Sequence, residues 1–285
     1  MGCDMRKQIL TGVMCLAAVC VTQSRAFAQV EVAITPDVVY GHKDGMALTF
    51  DVFKPKEKAK GIGVLFMVSG GWVSAWSEPK KLQPMFQPLL EGGYTVFAVR
   101  HGSSPRYVIP EIVVDVRSAL KFIHSHAADY QVDPAKLGVF GFSAGGHLSL
   151  VLGTMTNDKK ASDAPHVAAV VAVFPPTDLG PYVALDSPLR EQFPALKFDP
   201  AKANDYSPLM HVTADDAPTL LVHGDKDELV PIWHSQKIEA ALAEAKVPAE
   251  LITIEGAAHG FNAEGNKRLV KGMVDWFDKY LVGTK

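Results

Sequence analysis

The run Leu137-Gly138-Val139-Phe140-Gly141-Phe142-Ser143-Ala144-Gly145-Gly146-His147 decides the fold. Leu137–Phe142 is a continuous apolar run of the kind carried by a strand buried on both faces. Ala144–Gly153 reads as a helix. Between them stands a serine with glycine two residues before it and two after. A strand that turns so abruptly into a helix needs small residues at those two positions. The turn forces the central side chain outward at the strand's carboxyl end, in a strained backbone conformation. The helix start behind it supplies partial positive charge and N–H groups without intrahelical partners. Without strand and helix on either side, the pentapeptide Gly141–Gly145 would be an ordinary glycine-rich packing turn. With them, Ser143 is a candidate nucleophile.

Outward from this run the alternation repeats. Gly63–Val68, Thr95–Val99, Val167–Phe174 and Thr219–His223 are similar apolar runs, and Leu251–Ile254 is a shorter one. Val113, Val116, Leu120 and Ile123 share one helical face. Ile232–Ala245 and Leu269–Leu281 also read as helices, with Pro231 and Asn266 near their starts. Val38–Tyr40 and Leu48–Phe53 read as a hairpin about Lys43-Asp44-Gly45. Strands alternating with helices of this length predict parallel βαβ units in an α/β fold. The economical arrangement is a doubly wound, mostly parallel sheet with helices on both faces. Residues 176–217 break the rhythm with six prolines and no strong period. The segment lies where open α/β sheets bind ligands, at the strand ends, and is read as a small cap-like insertion over the site. An ordinary surface excursion is the alternative.

A serine is a poor nucleophile at its own pKa and needs a base. His259 lies in Gly256-Ala257-Ala258-His259-Gly260-Phe261, after the last strand and before the last helix, with small neighbours that leave the imidazole room to reach across the sheet edge. The other histidines have plainer readings. His124 and His126 stand two apart on a helix and face different ways. His147 lies on the helix after Ser143, and His42, His101, His166, His211 and His234 fall in loops or at helix starts. His223 ends a strand and stays open. A third group must orient the base and stabilise its cation. The stretch His223-Gly224-Asp225-Lys226-Asp227 offers two aspartates at another strand end, Asp225 still within the tight turn and Asp227 further along. Backbone donors for a developing oxyanion are expected from Ala144 and from the loop Val68-Ser69-Gly70-Gly71-Trp72, at Gly70 and Gly71, with the Trp72 N–H as the alternative. Trp72 and Trp76 are candidate walls of an acyl pocket. This chemistry calls for no cofactor and no metal.

Together these stretches resemble the alpha/beta-hydrolase esterase family that includes acetyl-xylan esterases and carboxylesterases related to the prolyl oligopeptidase catalytic domain. The resemblance runs from about Asp37 to the C-terminus. It rests on Val132–Gly138 leading into Gly141–His147, on Ser207-Pro208-Leu209, on His223–Pro231 and on Ala258-His259-Gly260-Phe261. It implies the alpha/beta-hydrolase fold, the chain order serine, acid, histidine, and the acid at Asp227, before Val230-Pro231. It also implies hydrolysis of short-chain carboxylic esters through an acyl-enzyme, with deacetylation of carbohydrate one form of it. Two departures stand out. Relatives often carry His-Gly-Gly-Gly-Trp where this chain has Val68-Ser69-Gly70-Gly71-Trp72, so the loop must be anchored differently. Arg100-His101-Gly102 replaces Tyr-Arg-Leu. A serine peptidase of the prolyl oligopeptidase type is the second reading. A binding protein on an inactive hydrolase scaffold is the third.

Composition suits a globular chain of 285 residues, 48% of them hydrophobic, which is enough for a sizeable core in one domain over residues 29–285. The first 28 residues differ. Arg6 and Lys7 precede the apolar run Ile9–Val21, and Ala26-Phe27-Ala28 follows it. This is the order of a secretory signal peptide, and the run is shorter than the roughly 20 residues a membrane span needs. An uncleaved anchor is the alternative, and lipidation at Cys20 is disfavoured by Val19 before it. All three cysteines, Cys3, Cys15 and Cys20, lie in this segment, so the mature chain is expected to hold no disulfide and no cysteine metal site. The net charge is −3, and losing Arg6, Lys7 and Arg25 against Asp4 alone makes the chain more acidic. Nucleic acid is therefore not an expected partner, and neither is stable membrane association after cleavage. The expected substrate is a small-molecule or carbohydrate ester, met in the periplasm or outside the cell. Mass analysis of exported protein should find Gln29 at the N-terminus, and a lipid-modified Cys20 would contradict the reading.

Overall fold

The computed structural model describes residues 30–155 and 165–283, so the expected signal segment and the three cysteines lie outside the described residues. Strands β1 (Val32–Lys43) and β2 (Met46–Pro55) form the expected hairpin. Its two turn residues, Asp44 and Gly45, both have positive φ, which matches the right-handed twist of the strands they join. Then follow β3 (Gly63–Met67), α1 (Pro79–Glu91), β4 (Thr95–Val99), α2 (Ile109–Ser125), β5 (Leu137–Phe142), α3 (Ala144–Thr154) and β6 (Ala169–Val173). After the 176–217 segment come β7 (Thr219–Gly224), α4 (Trp233–Glu244), β8 (Ala249–Ile254) and α5 (Ala263–Phe277).

The strands make one eight-stranded sheet in the order β1-β2-β4-β3-β5-β6-β7-β8. β3 to β8 are parallel, and β1 and β2 join antiparallel at one edge. Alternate residues of each strand feed opposite core layers, as the two-residue strand period demands. Leu65, Met67, Val139 and Leu221 pack on one side with α2, α3 and α4. Val64, Phe66, Phe140 and Val222 pack on the other with α1 and α5. The sheet is therefore doubly wound, and β5 lies near its middle with both faces covered.

Helix α1 has no counterpart among the sequence expectations. Pro84 and Pro88 lie inside it, and interior prolines remove backbone hydrogen bonds and ordinarily end a helix. Packing carries it instead. Phe86, Leu89 and Leu90 are fully buried, and the Phe86 ring meets Phe53 at 4.9 Å and Phe66 at 5.3 Å. The last helix begins at Ala263, earlier than the expected Leu269, because Asn262 caps it by accepting from Gly265 N–H.

At the carboxyl end of β4 the buried Arg100 guanidinium donates to both oxygens of Asp51, at 2.6 and 2.9 Å, and to Asp37 at 2.8 Å. The Asp51 side chain is wholly buried. A two-pronged pair of this kind ties the hairpin to β4 and fixes the residues that follow, His101 and Gly102. Removing one partner of such a pair leaves an uncompensated buried charge, at roughly 3–5 kcal/mol.

The 176–217 segment holds two short helical turns, Gly180–Val183 and Pro188–Gln192, and several 3-10 turns. Arg190 orders it by donating through Nη1 to the carbonyls of Val183, Leu196 and Phe198, at 2.7, 3.1 and 2.9 Å. These charge-assisted bonds hold together a stretch too short for a core of its own.

Candidate active site

Ser143 sits between β5 and α3 with φ 52° and ψ −118°, a conformation that side chains rarely adopt. Steric room decides why it is held there. A Cβ on Gly141 would lie 2.4 Å from the Gly145 carbonyl, and one on Gly145 would lie 2.8 Å from the Met67 oxygen. Ser143 N–H donates to Val173 O at 2.8 Å, which anchors the turn to β6. The hydroxyl is thus presented at the sheet's carboxyl edge.

His259 Nε2 lies 2.9 Å from Ser143 Oγ, and His259 Nδ1 lies 2.6 Å from Asp227 Oδ2. Asp227 is wholly buried at its side chain, and its other oxygen accepts the N–H groups of Leu229 and Val230 at 3.0 and 2.9 Å. Burial alone would raise this carboxyl. Hydrogen bonds from His223 and His259, and the Val230 N–H, outweigh it and hold the group well below the usual carboxylate range. Asp227 is therefore a fixed anion that selects the Nδ1–H tautomer of His259. The Phe174 ring covers one side of that imidazole at 4.4 Å.

Asp225 has another task. Its Oδ1 accepts Gly256 N–H at 2.6 Å, while Lys226 N–H donates to Ala257 O at 2.9 Å. The acid loop and the histidine loop are laced together there. A Cβ on Gly224 would lie 2.2 Å from Ala257 O, so only glycine allows this approach. His223 is part of the same scaffold. Its Nε2–H donates to Val230 O at 2.7 Å and lies 3.4 Å from Asp227, and its Nδ1 meets Ser235 Oγ at 2.7 Å.

The loop after β3 departs from expectation. Gly70 and Val73 bond each other's N–H and C=O at 3.0 Å, closing an antiparallel bridge. Gly71 and Trp72 are the two residues between, and both have positive φ, 56° and 60°. This is a two-residue turn of the mirror-image kind. The Gly70 N–H is spent in the bridge and is not a free donor, which corrects the sequence expectation. The N–H groups of Gly71, Trp72 and Ala144 have no acceptor among the described residues. Trp72, the alternative in the sequence reading, thus keeps an unpaired N–H among the described residues where Gly70 does not.

Two buried histidines hold this turn. Trp72 Nε1–H donates to His147 Nδ1 at 3.3 Å, and His147 Nε2–H donates to Tyr206 O at 2.8 Å. His101 Nδ1–H donates to Gly102 O, and its Nε2 accepts from Ser69 Oγ, both at 2.9 Å. Burial pushes both imidazoles down to about 4, so they are neutral struts. His101 is thus the anchor of a loop that lacks its relatives' leading histidine. In the sequence it is one loop histidine among several, marked by its place in the Arg100-His101-Gly102 departure.

Ser143 opens into a small hollow. Gly71 and Trp72 line one side, Leu229 and Val230 another. Pro176, Tyr182, Leu189, Phe193 and Leu196 from the 176–217 segment stand over it. Trp76 is not among the lining residues and is 62% exposed, so the acyl-wall expectation fails for it. The bridge that closes at Val73 directs the chain out to solvent before Trp76 is reached.

A parallel sheet of this order, with a strained serine elbow on a central strand, defines an alpha/beta-hydrolase. The BD-FAE family model matches residues 50–242, and the chain belongs to that family. It is 28% identical to a probable carboxylic ester hydrolase, LipM of Mycobacterium tuberculosis, over 81% of this chain and 57% of that protein. It is likewise 28% identical to the esterase LipQ of the same organism, over 89% of this chain and 64% of that protein. The chain thus spans about three fifths of the length of these curated relatives. Among solved structures, a truncated carbohydrate esterase from gut microbiota superposes with a TM-score of 0.75 at 26% identity, covering 91% of this chain and all of that one.

The two aspartates should separate cleanly. Asp227→Asn keeps the hydrogen-bond shape but favours the wrong histidine tautomer, and should lower kcat by about 10⁴ with little change in Tm. Asp225→Asn should chiefly lower stability, by ~1–2 kcal/mol. Loss of turnover in Asp225→Asn at unchanged Tm, with Asp227→Asn still active, would reverse the assignment.

Proposed function

We propose that the protein is a serine hydrolase that cleaves short-chain carboxylic esters through an acyl-enzyme. The observation that carries this reading is the chain of contacts Ser143 Oγ, His259 and Asp227, at 2.9 and 2.6 Å, at the mouth of the hollow. Ser143 Oγ attacks the acyl carbon while His259 Nε2 takes its proton. Asp227 stabilises the imidazolium. The negative charge on the former carbonyl oxygen is received by the Ala144, Gly71 and Trp72 N–H groups, which are fixed before substrate arrives and so cost no reorganisation. His259 returns its proton to the departing alcohol. The same imidazole then activates water, which attacks the acyl-enzyme and releases the acid and Ser143.

The walls support a small acyl group. A Cβ on Gly71 would already lie 2.9 Å from the Phe193 ring, so the roof stands close to the oxyanion turn. Leu189 and Leu196 close the space further. The leader-like first 28 residues support export to the periplasm or medium as the place of action, and the carbohydrate esterase likeness supports sugar acetates as a substrate class.

A panel of para-nitrophenyl esters tests the reading. kcat/KM should be highest from acetyl to butyryl and fall by about tenfold or more for a ten-carbon chain, as steric exclusion outweighs the small gain from each added methylene. Equal or better rates on the ten-carbon ester would contradict the small acyl pocket. Absence of turnover on every ester would contradict the proposed activity.

A further inference from the structure

Tyr182 is the polar side chain that the 176–217 segment contributes to the lining of the hollow beside Ser143. Its ring is almost wholly buried, and its hydroxyl is tied to the fully buried His234, with Oη 2.7 Å from Nε2. The direction of that bond follows from the other side of the imidazole. His234 Nδ1 faces two backbone donors, Thr177 N–H at 3.1 Å and Asp178 N–H at 3.4 Å. The Thr177 hydroxyl, 3.3 Å away, is itself committed to the His234 carbonyl at 2.9 Å. A nitrogen that meets two N–H groups must present its lone pair. The ring proton of neutral His234 is therefore on Nε2, and Nε2–H donates to Tyr182 Oη. Burial, reinforced by the charges of His223 and Lys237, pushes His234 down to about 3, so the imidazole keeps this neutral form at neutral pH.

The tyrosine hydroxyl is thereby cast as acceptor toward the protein and must spend its own hydrogen elsewhere. Among the described residues the only protein acceptor on that side is Leu229 O at 3.5 Å, at the outer limit of a hydrogen bond. Burial and the charges of Asp227 and Asp178 push the phenol well above its ordinary value, so it stays protonated. An O–H donor with a poor internal acceptor, at an otherwise apolar wall beside the nucleophile, is a recognition element.

We propose that Tyr182 Oη, oriented by His234, donates a hydrogen bond to a second acceptor oxygen on the substrate, so that the site prefers esters bearing a nearby ether, hydroxyl or carbonyl oxygen, such as carbohydrate acetates, over apolar esters of similar size. This rests on the ester-hydrolase reading above. Tyr182 acts on substrate choice, and His234 is a positioning residue.

The test compares wild type and Tyr182→Phe on peracetylated xylose and on phenyl acetate, which share the acyl group and differ in acceptor oxygens on the leaving side. The ratio of kcat/KM for the sugar acetate over phenyl acetate should fall roughly tenfold in the variant, mainly through KM, the scale of one neutral hydrogen bond. An unchanged or higher ratio would overturn the proposal while leaving the ester-hydrolase reading intact. If wild type turns over neither ester, that reading fails and this one with it. A long-range proton–nitrogen NMR spectrum checks the orientation independently. His234 should show a protonated Nε2 and a bare Nδ1 at neutral pH, and the opposite tautomer or an imidazolium would overturn the assigned direction.

Discussion

Between residues 141 and 145 there is no room for a side chain. The two glycines bring the end of β5 against the start of α3 so closely that a Cβ on Gly141 would sit 2.4 Å from the Gly145 carbonyl. Ser143 takes up the consequence as a positive φ. Strain of this kind persists only where surroundings over-determine it, and here they do. β5 is clamped between β3 and β6, and α3 is buried along its whole length. The same closeness aligns three independent features. The hydroxyl points out of the sheet edge, the Ala144 N–H has no acceptor among the described residues, and the β3 loop with Gly71 and Trp72 lies next to both. Relaxing the elbow would separate the Ser143 hydroxyl from these N–H groups.

The loops around the elbow are held by buried imidazoles. His147 pins the Trp72 indole, His101 pins Ser69, His223 stands under Asp227 and His234 under Tyr182. His101, His147 and His234 each join a backbone carbonyl or N–H on one side to a side chain at the site on the other, and His223 spans Val230 O and Ser235 Oγ. Imidazole suits the task because one ring nitrogen donates while the other accepts, so a chosen tautomer transmits direction from fixed backbone to functional group. His259 is built differently. It is partly exposed, with Nδ1 on the Asp227 carboxylate and Nε2 on the Ser143 hydroxyl.

Much of this was legible in the sequence because it is local. Apolar runs fixed the strands, the glycine spacing marked the elbow, and the small residues around His259 marked a loop free to reach inward. The structure brings Ser143, His259 and Asp227 together from three strand ends, as their places in the chain suggested. What escaped was set by partners distant in sequence. Whether Gly70 or Trp72 keeps a free N–H depends on a bridge to Val73, which alternation along the chain does not encode. Helix α1 survives two interior prolines only because Phe86 finds Phe53 and Phe66 on the sheet. The roles of His101, His147 and His234 follow from single contacts at sequence separations of 32 to 75 residues. Trp76 reads as a pocket wall beside Trp72, yet the tight turn that holds Trp72 closes at Val73, and the two rings meet different surroundings.

The central claim is that the fold makes Ser143, and no other serine, a nucleophile through His259. The most direct measurement is covalent labelling of the folded chain with a fluorophosphonate, followed by peptide mass analysis. One adduct per chain on the peptide carrying Ser143, absent from His259→Ala at unchanged Tm, is the predicted result. An unlabelled wild-type chain, or a label on another residue, would contradict the account.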